Sequence, residues 1–195
     1  MIIYYDLLTK TEDNEETGEA GKEGDELISD AYNLKLVDDV VYEADCAIIT
    51  EGEVKVDTGA NASAEDAEDR LDQNPAVRVN NIVQSFRLQS THFDRNSYRI
   101  YIKDYFKRIT AHREKAMRKE GKDEAAIAKA TDDFKNRAGG YASRNILPKN
   151  KFGEFDFFTG ESMNPDGMVV LLRYREDGTT PYVTIWKDGL YGKKY

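Results

Sequence analysis

The side chains that could do chemistry are few and poorly placed for it. The 195 residues contain two histidines, His92 and His112, and one cysteine, Cys46. A Ser/His/Asp triad needs a histidine base beside an oriented nucleophile. His112 falls on the apolar stripe of a predicted helix and His92 at that helix's entrance, so both read as structural or surface residues. A lone cysteine excludes an intrachain disulfide and offers no resolving thiol. With two histidines to help it, a four-ligand zinc site would have to recruit carboxylates. Asp38, Asp39, Glu43 and Asp45 are close enough in sequence for an acid/base or metal cluster, but strand alternation sends neighbours to opposite faces, and a solvated strand surface is the plainer reading. The NPDG run at residues 164–167 lacks the regular oxygen ligands and distal glutamate of a calcium loop and reads as a tight turn. No Gly-rich phosphate cradle of the GxxxxGK[ST] or GxGxxG type occurs. Asn61-Ala62-Ser63 fits the glycosylation pattern, but no secretory signal precedes it. The expectation is a protein that binds other macromolecules, with no catalytic residue and no cofactor.

Charge is the stronger signal. The net charge of −9 conceals an asymmetry: residues 9–78 carry 21 acidic and 6 basic side chains, whereas residues 95–122 carry 10 basic against 3 acidic ones. Lys103, Lys107, Arg108, Arg113, Lys115, Arg118 and Lys119 crowd onto one predicted helix. Such a run is either an ordinary solvated face or a docking surface for acidic partners. The overall acidity and the lack of any RNA- or DNA-binding motif weigh against nucleic acid, so an acidic protein surface is the expected target.

These residues must be positioned by a mixed set of elements. Residues 1–8 are apolar but lack a basic leader and are too short to span a membrane, and they read as a first strand. Residues 9–24 contain no large apolar side chain and predict a solvated loop. Residues 26–32, 36–44 and 47–50 are rich in β-formers, and Glu51-Gly52 before residues 54–56 suggests a hairpin turn. Residues 59–76 are small and acidic and predict a mobile loop, after which residues 79–89 read as a strand of uneven alternation. Asp94 is then positioned to cap a helix whose stripe is Tyr98, Ile102, Tyr105, Ile109, His112 and Ala116. Gly121 stops it, and Ile127, Ala130, Phe134, Ala138 and Tyr141 form a second stripe, which Gly139 and Gly140 should weaken. Residues 94–147 thus form an antiparallel helical hairpin, and residues 155–188 three further strands. The expected fold is one α+β domain, a β-rich body with a protruding helical pair.

Three stretches carry a family resemblance: the opening MIIYYDLL, the loop GANASAEDAED at residues 59–69, and the block FFTGESMNPDGMVVLLRYREDGTTPYVTIWKDG at residues 157–189. Together with SDAYNLKLVDDVVYEADC between them, they resemble the translationally controlled tumour protein family, most of all its fungal members. Residues 9–24 look like an insertion relative to that family, and residues 145–151 look longer than usual. The chain ends in Tyr195, where some animal members end in a cysteine through which dimers form, which puts that mode of pairing in doubt. The resemblance implies a β-tent body related to small-GTPase-binding chaperones. It also implies a cytoplasmic, cytoskeleton-associated protein that binds tubulin and microtubules, acts with the translation machinery in growth control, and binds calcium weakly through ligands it does not identify. It further implies action on a small GTPase, by exchange or regulation, through an acidic pocket on the β-body lined by Glu26 in DELISD and Glu161 in TGES.

Overall fold

A computed structural model describes residues 1–12, 20–51 and 77–195. The first half of the chain forms β1 (Ile2–Asp6), β2 (Glu26–Ser29), β3 (Lys35–Val37), β4 (Val41–Asp45), β5 (Ile48–Glu51), β6 (Val77–Asn80), the short helix α1 (Asn81–Ser85) and β7 (Gln89–Thr91). Two long helices follow, α2 (Arg95–Lys119) and α3 (Glu124–Tyr141), then a π-helical turn (Ala142–Ile146) and a one-turn helix α4 (Lys149–Phe152). The chain closes with β8 (Asp156–Thr159), β9 (Val170–Tyr174), β10 (Pro181–Trp186) and β11 (Leu190–Lys194). Among the described residues the strands form a six-stranded sheet ordered β3-β4-β10-β9-β8-β7, a three-stranded sheet β11-β1-β2, and the pair β5-β6, all antiparallel.

The core lies where the large sheet meets the helical pair. All six residues of β10 are buried, Thr184 among them, so this central strand is covered on both faces and shows no alternation of buried and exposed positions. On α2, Tyr98, Ile102, Tyr105 and Ile109 face the sheet as their spacing predicts. His112, placed on that stripe by its spacing, is instead exposed, because the buried face of α2 ends at Ile109 and Thr110. Phe106 wedges edge-to-face between Phe134 of α3 at 5.7 Å and Trp186 of β10 at 4.9 Å, an arrangement that aligns ring edges with ring faces. Asp94 caps α2 by accepting the Asn96 and Ser97 amides at 2.8 and 3.0 Å, and Gly121, at φ +75°, turns the chain toward α3.

Several local expectations need correction. Residues 36–44 are not one strand but a hairpin, β3 to β4, whose central Asp38 and Asp39 both take left-handed φ values of 53° and 55°. Residues 79–89 break after β6, because the Asn80 side chain accepts the Ile82 and Val83 amides and starts α1, which sends Ile82 into the core. Helix α3 runs unbroken through Gly139 and Gly140 and widens only afterwards into the π-helical turn. β11, polar and glycine-containing, was not legible as a strand; it pairs along β1 from Ile2↔Lys194 to Asp6↔Leu190. Both ends of the 9–24 segment are docked. Thr11 and Lys22 exchange hydrogen bonds, and Glu23 accepts from Tyr191 at 2.6 Å and pairs with Lys193 at 2.8 Å. Glu51 ends β5, and the rest of the turn expected at Glu51-Gly52, with the 59–76 loop, falls outside the described residues.

Candidate functional site

The segment after β8, residues 160–168, forms a loop with an exposed middle that four residues from three separate parts of the chain hold in place. Asp25, just before β2, accepts the Ser162 hydroxyl at 2.6 Å and its amide at 3.2 Å. Gly160 lies against Asp25 so closely that a side chain there would collide with the carboxylate. Asp6, at the end of β1, accepts the Met168 amide at 2.7 Å and the Leu8 amide at 3.0 Å. Tyr101 of α2 donates its hydroxyl to the Gly167 carbonyl at 2.7 Å and accepts the Val169 amide at 2.8 Å. Arg108, one helical repeat further on, pairs with Asp166 at 2.7 Å. Within the loop Asn164 accepts the Asp166 and Gly167 amides, so NPDG is the tight turn its composition suggests. Met163 is held at φ +52° with its side chain 64% exposed. Asp6 itself is buried, and the loss of solvation pushes its pKa up to about 6 although its two amide donors oppose the rise.

The two glutamates marked by the family resemblance lie on adjoining segments, since the grip of Asp25 on Ser162 brings the head of β2 against the loop that carries Glu161. Their side chains have separate partners. Glu26 is half-buried and accepts from the Tyr5 hydroxyl at 3.3 Å, which in turn bonds Tyr195 at 2.7 Å. Glu161 is exposed and pairs with Arg87 at 3.0 Å.

The seven basic residues of α2 divide into two classes. The arginines are committed internally. Arg108 holds Asp166, Arg118 holds Glu124 at 3.0 Å, and Arg113 pairs with Asp188 while resting over the Phe134 ring. Lys107 pairs with Asp104 on its own helix at 3.3 Å. Lys103, Lys115 and Lys119 are exposed and have no carboxylate partner among the described residues. With Arg99, also exposed, these lysines and Lys107 sit at intervals of four or eight residues and form a ridge that winds about half-way around α2 along its length. Arg99 escaped the sequence reading, although its spacing from Lys103 was the available signal.

The acidic cluster on β3 and β4 is absorbed by cations. Glu43 and Asp45, two apart on β4, both pair with Arg175, which stacks on Tyr182 at 3.7 Å, while Asp39 holds Arg137 at 2.6 Å and Lys187. No group of three or more potential metal ligands occurs among the described residues. Cys46 is buried, and the loss of solvation raises its thiol pKa, which makes it a poor nucleophile. No helix among the described residues is long and apolar enough to cross a membrane.

The sequence profile of the translationally controlled tumour protein family matches residues 20–191. The chain belongs to that family. Relatives described as translationally-controlled tumor protein homologs include those of Neurospora crassa, 51% identical, and Gibberella zeae, 53% identical, each over 190 residues that cover 97% of both chains. The solved structure of the Schizosaccharomyces pombe translationally controlled tumor-associated protein p23fyp superposes with a TM-score of 0.70 at 43% identity over the whole of both chains. That of the Caenorhabditis elegans translationally-controlled tumor protein gives 0.65 at 31% identity, over 100% of this chain and 99% of the other. The α+β body with its helical hairpin is therefore the architecture of the translationally controlled tumour protein family. The profile match begins inside the 9–24 segment.

Proposed function

We propose that this protein is a non-enzymatic binding factor that docks on acidic protein surfaces through the lysine ridge of α2, with the acidic tails of tubulin and the translation machinery as its partners. The observation that carries the reading is the division of labour on α2. Arg108, Arg113 and Arg118 neutralise the protein's own carboxylates, while Lys103, Lys115 and Lys119 are left exposed without carboxylate partners among the described residues. A helix whose fixed cations brace the fold and whose flexible cations face solvent suits a contact that is electrostatic and reversible. Each exposed pair is worth about 0.2–1 kcal/mol and is screened within about 8–10 Å at ordinary salt, so affinity arises from several lysines together.

Microtubule co-sedimentation at low and moderate salt tests this. Lys103→Glu combined with Lys115→Glu and Lys119→Glu should weaken binding by about tenfold or more at low salt, with a smaller difference as salt rises. Binding that is indifferent to both the substitutions and the salt would remove the proposal.

A second reading is supported by the contact between Asp25 and Ser162, the immediate neighbours of Glu26 and Glu161: regulation of a small GTPase by binding where these two segments meet. An exchange factor can work by preferring the nucleotide-free partner, with no base or metal of its own.

A further inference from the structure

We infer that the groove between the edge strand β7, the N-terminal half of α2 and the loop at residues 160–167 receives an extended segment of a partner protein, in which a bulky apolar residue lies next to acidic ones. The groove has a volume of about 530 Å³ and is walled by Ser90 and Thr91 of β7, by Phe93 just before α2, by Ile100 and Tyr101 of α2, and by Met163 of the loop. Its rim exposes two large apolar side chains, Ile100 and Met163, each 64% accessible. Left-handed backbone at a non-glycine residue costs about 1–3 kcal/mol and persists where the surroundings enforce it. Here Asp25, Tyr101 and Arg108 enforce it, and the result is a methionine presented to solvent beside the groove.

Three observations define the occupant. The charged side chains lining the groove, Asp104 and Arg108, are already paired with Lys107 and Asp166, so the interior suits an apolar side chain and not an ion. β7 is the last strand of the six-stranded sheet and hydrogen-bonds only to β8 among the described residues, which leaves an edge for an added strand. Arg99 and Lys103, exposed and without carboxylate partners among the described residues, lie together beside Ile100 on α2, at the margin of the groove, and supply complementary charge for acidic residues next to the apolar anchor. β7 has three residues, which limits strand pairing to a span of about 10 Å, so the anchor side chain and the charges must provide much of the affinity. The acidic half of this motif rests on the function proposed above. The apolar half and the strand edge do not.

The probe is a fluorescein-labelled peptide of sequence Ser-Thr-Val-Phe-Val-Asp-Glu-Glu-Asp, compared with a version in which serines replace Val, Phe and Val, and with one in which amides replace the acids. Fluorescence polarisation on the full chain should show the parent peptide binding, with loss of about tenfold in the serine version and in the protein carrying Ile100→Ser and Met163→Asn. Asn tolerates the left-handed backbone, and both positions are exposed, so this variant keeps its fold. Amide shifts in the wild type should concentrate at Ser90, Thr91, Ile100 and Met163. If Arg99→Glu with Lys103→Glu abolishes binding while the groove variant and the serine peptide match the parent, the groove inference fails and the acidic-surface function stands. If neither variant matters, or the parent peptide does not bind, the inference is also overturned. The microtubule assay then decides the function separately.

Discussion

Replacing Asp6 by Asn should alter the pH dependence of folding in a direction that its burial fixes. Asp6 is 1% exposed, and its pKa rises from 3.8 to about 6, chiefly through desolvation, with the nearby Asp25 charge adding to the rise. In the unfolded chain the carboxyl keeps its ordinary value, so the native state binds this proton more tightly. Acidification below about pH 6 therefore stabilises the native state through this group. As pH climbs back through the folded pKa, the carboxyl ionises in its buried site and that stability is lost. The full difference of about two pKa units corresponds to about 3 kcal/mol, and between about pH 7 and about pH 4.5 partial titration leaves about 2 kcal/mol. Asn is neutral at both values, so the comparison isolates Asp6 from every other titrating group. The variant also escapes the buried charge but turns an amide toward one of the two N–H groups that Asp6 accepts, and these effects, each about 1–3 kcal/mol, oppose one another in the offset at neutral pH. The test is urea unfolding of both proteins at the two pH values. Wild type should gain about 2 kcal/mol on the variant at the lower one. A constant offset, or a loss by wild type on acidification, would refute the assignment.

Arg113→Ala should cost about 1–3 kcal/mol in chemical denaturation, because it strips the 13%-exposed Asp188 of its cation and uncovers the Phe134 ring, whereas Lys119→Ala should fall within about 0.5 kcal/mol of wild type. If the two cost the same, the division of α2 cations into bracing and docking classes is wrong. For the GTPase reading, Glu26→Ala and Glu161→Ala should each weaken a GTPase complex, by about 2–5 kcal/mol for the half-buried Glu26 and less for the exposed Glu161, with a non-additive double variant. Affinity and exchange rate equal to those of a Lys35→Ala control would leave the acidic-surface reading alone.

Patterns that depend on one stretch of chain were legible. The cap at Asp94, the stop at Gly121, the stripes of α2 and α3 and the tight turn of NPDG all follow from spacing or from a side chain bonding its own neighbours. The basic character of α2 and the family resemblance through the 157–189 block were equally plain. The reading failed where a short local signal was overridden or unrecognised. Val79 to Gln89 has the apolar content of a strand, but the capping bonds of Asn80 turn its middle into α1. Asp38 and Asp39 look like strand-face carboxylates until both are found in the left-handed region of a turn. β11 offers Leu190 and Tyr191 and then Gly192 and two lysines, too short a signal to mark a strand, and its pairing with β1 at the opposite end of the chain fixes it.

The sequence by itself therefore determined the class of the protein, its two long helices and its charge asymmetry, since these depend on composition and on periodicities of a few residues. Only the tertiary structure decided which charges are free. Asp166 neutralises Arg108 from 58 residues away and Asp188 neutralises Arg113 from 75, so no pattern along α2 could separate its bracing arginines from its exposed lysines. The same holds for the braced loop, where Asp6, Asp25 and Tyr101 meet residues 160–169 across sequence separations of 66 to 162. An ion pair or a shared hydrogen bond acts over about 3 Å of space, and the chain brings such partners together only by folding.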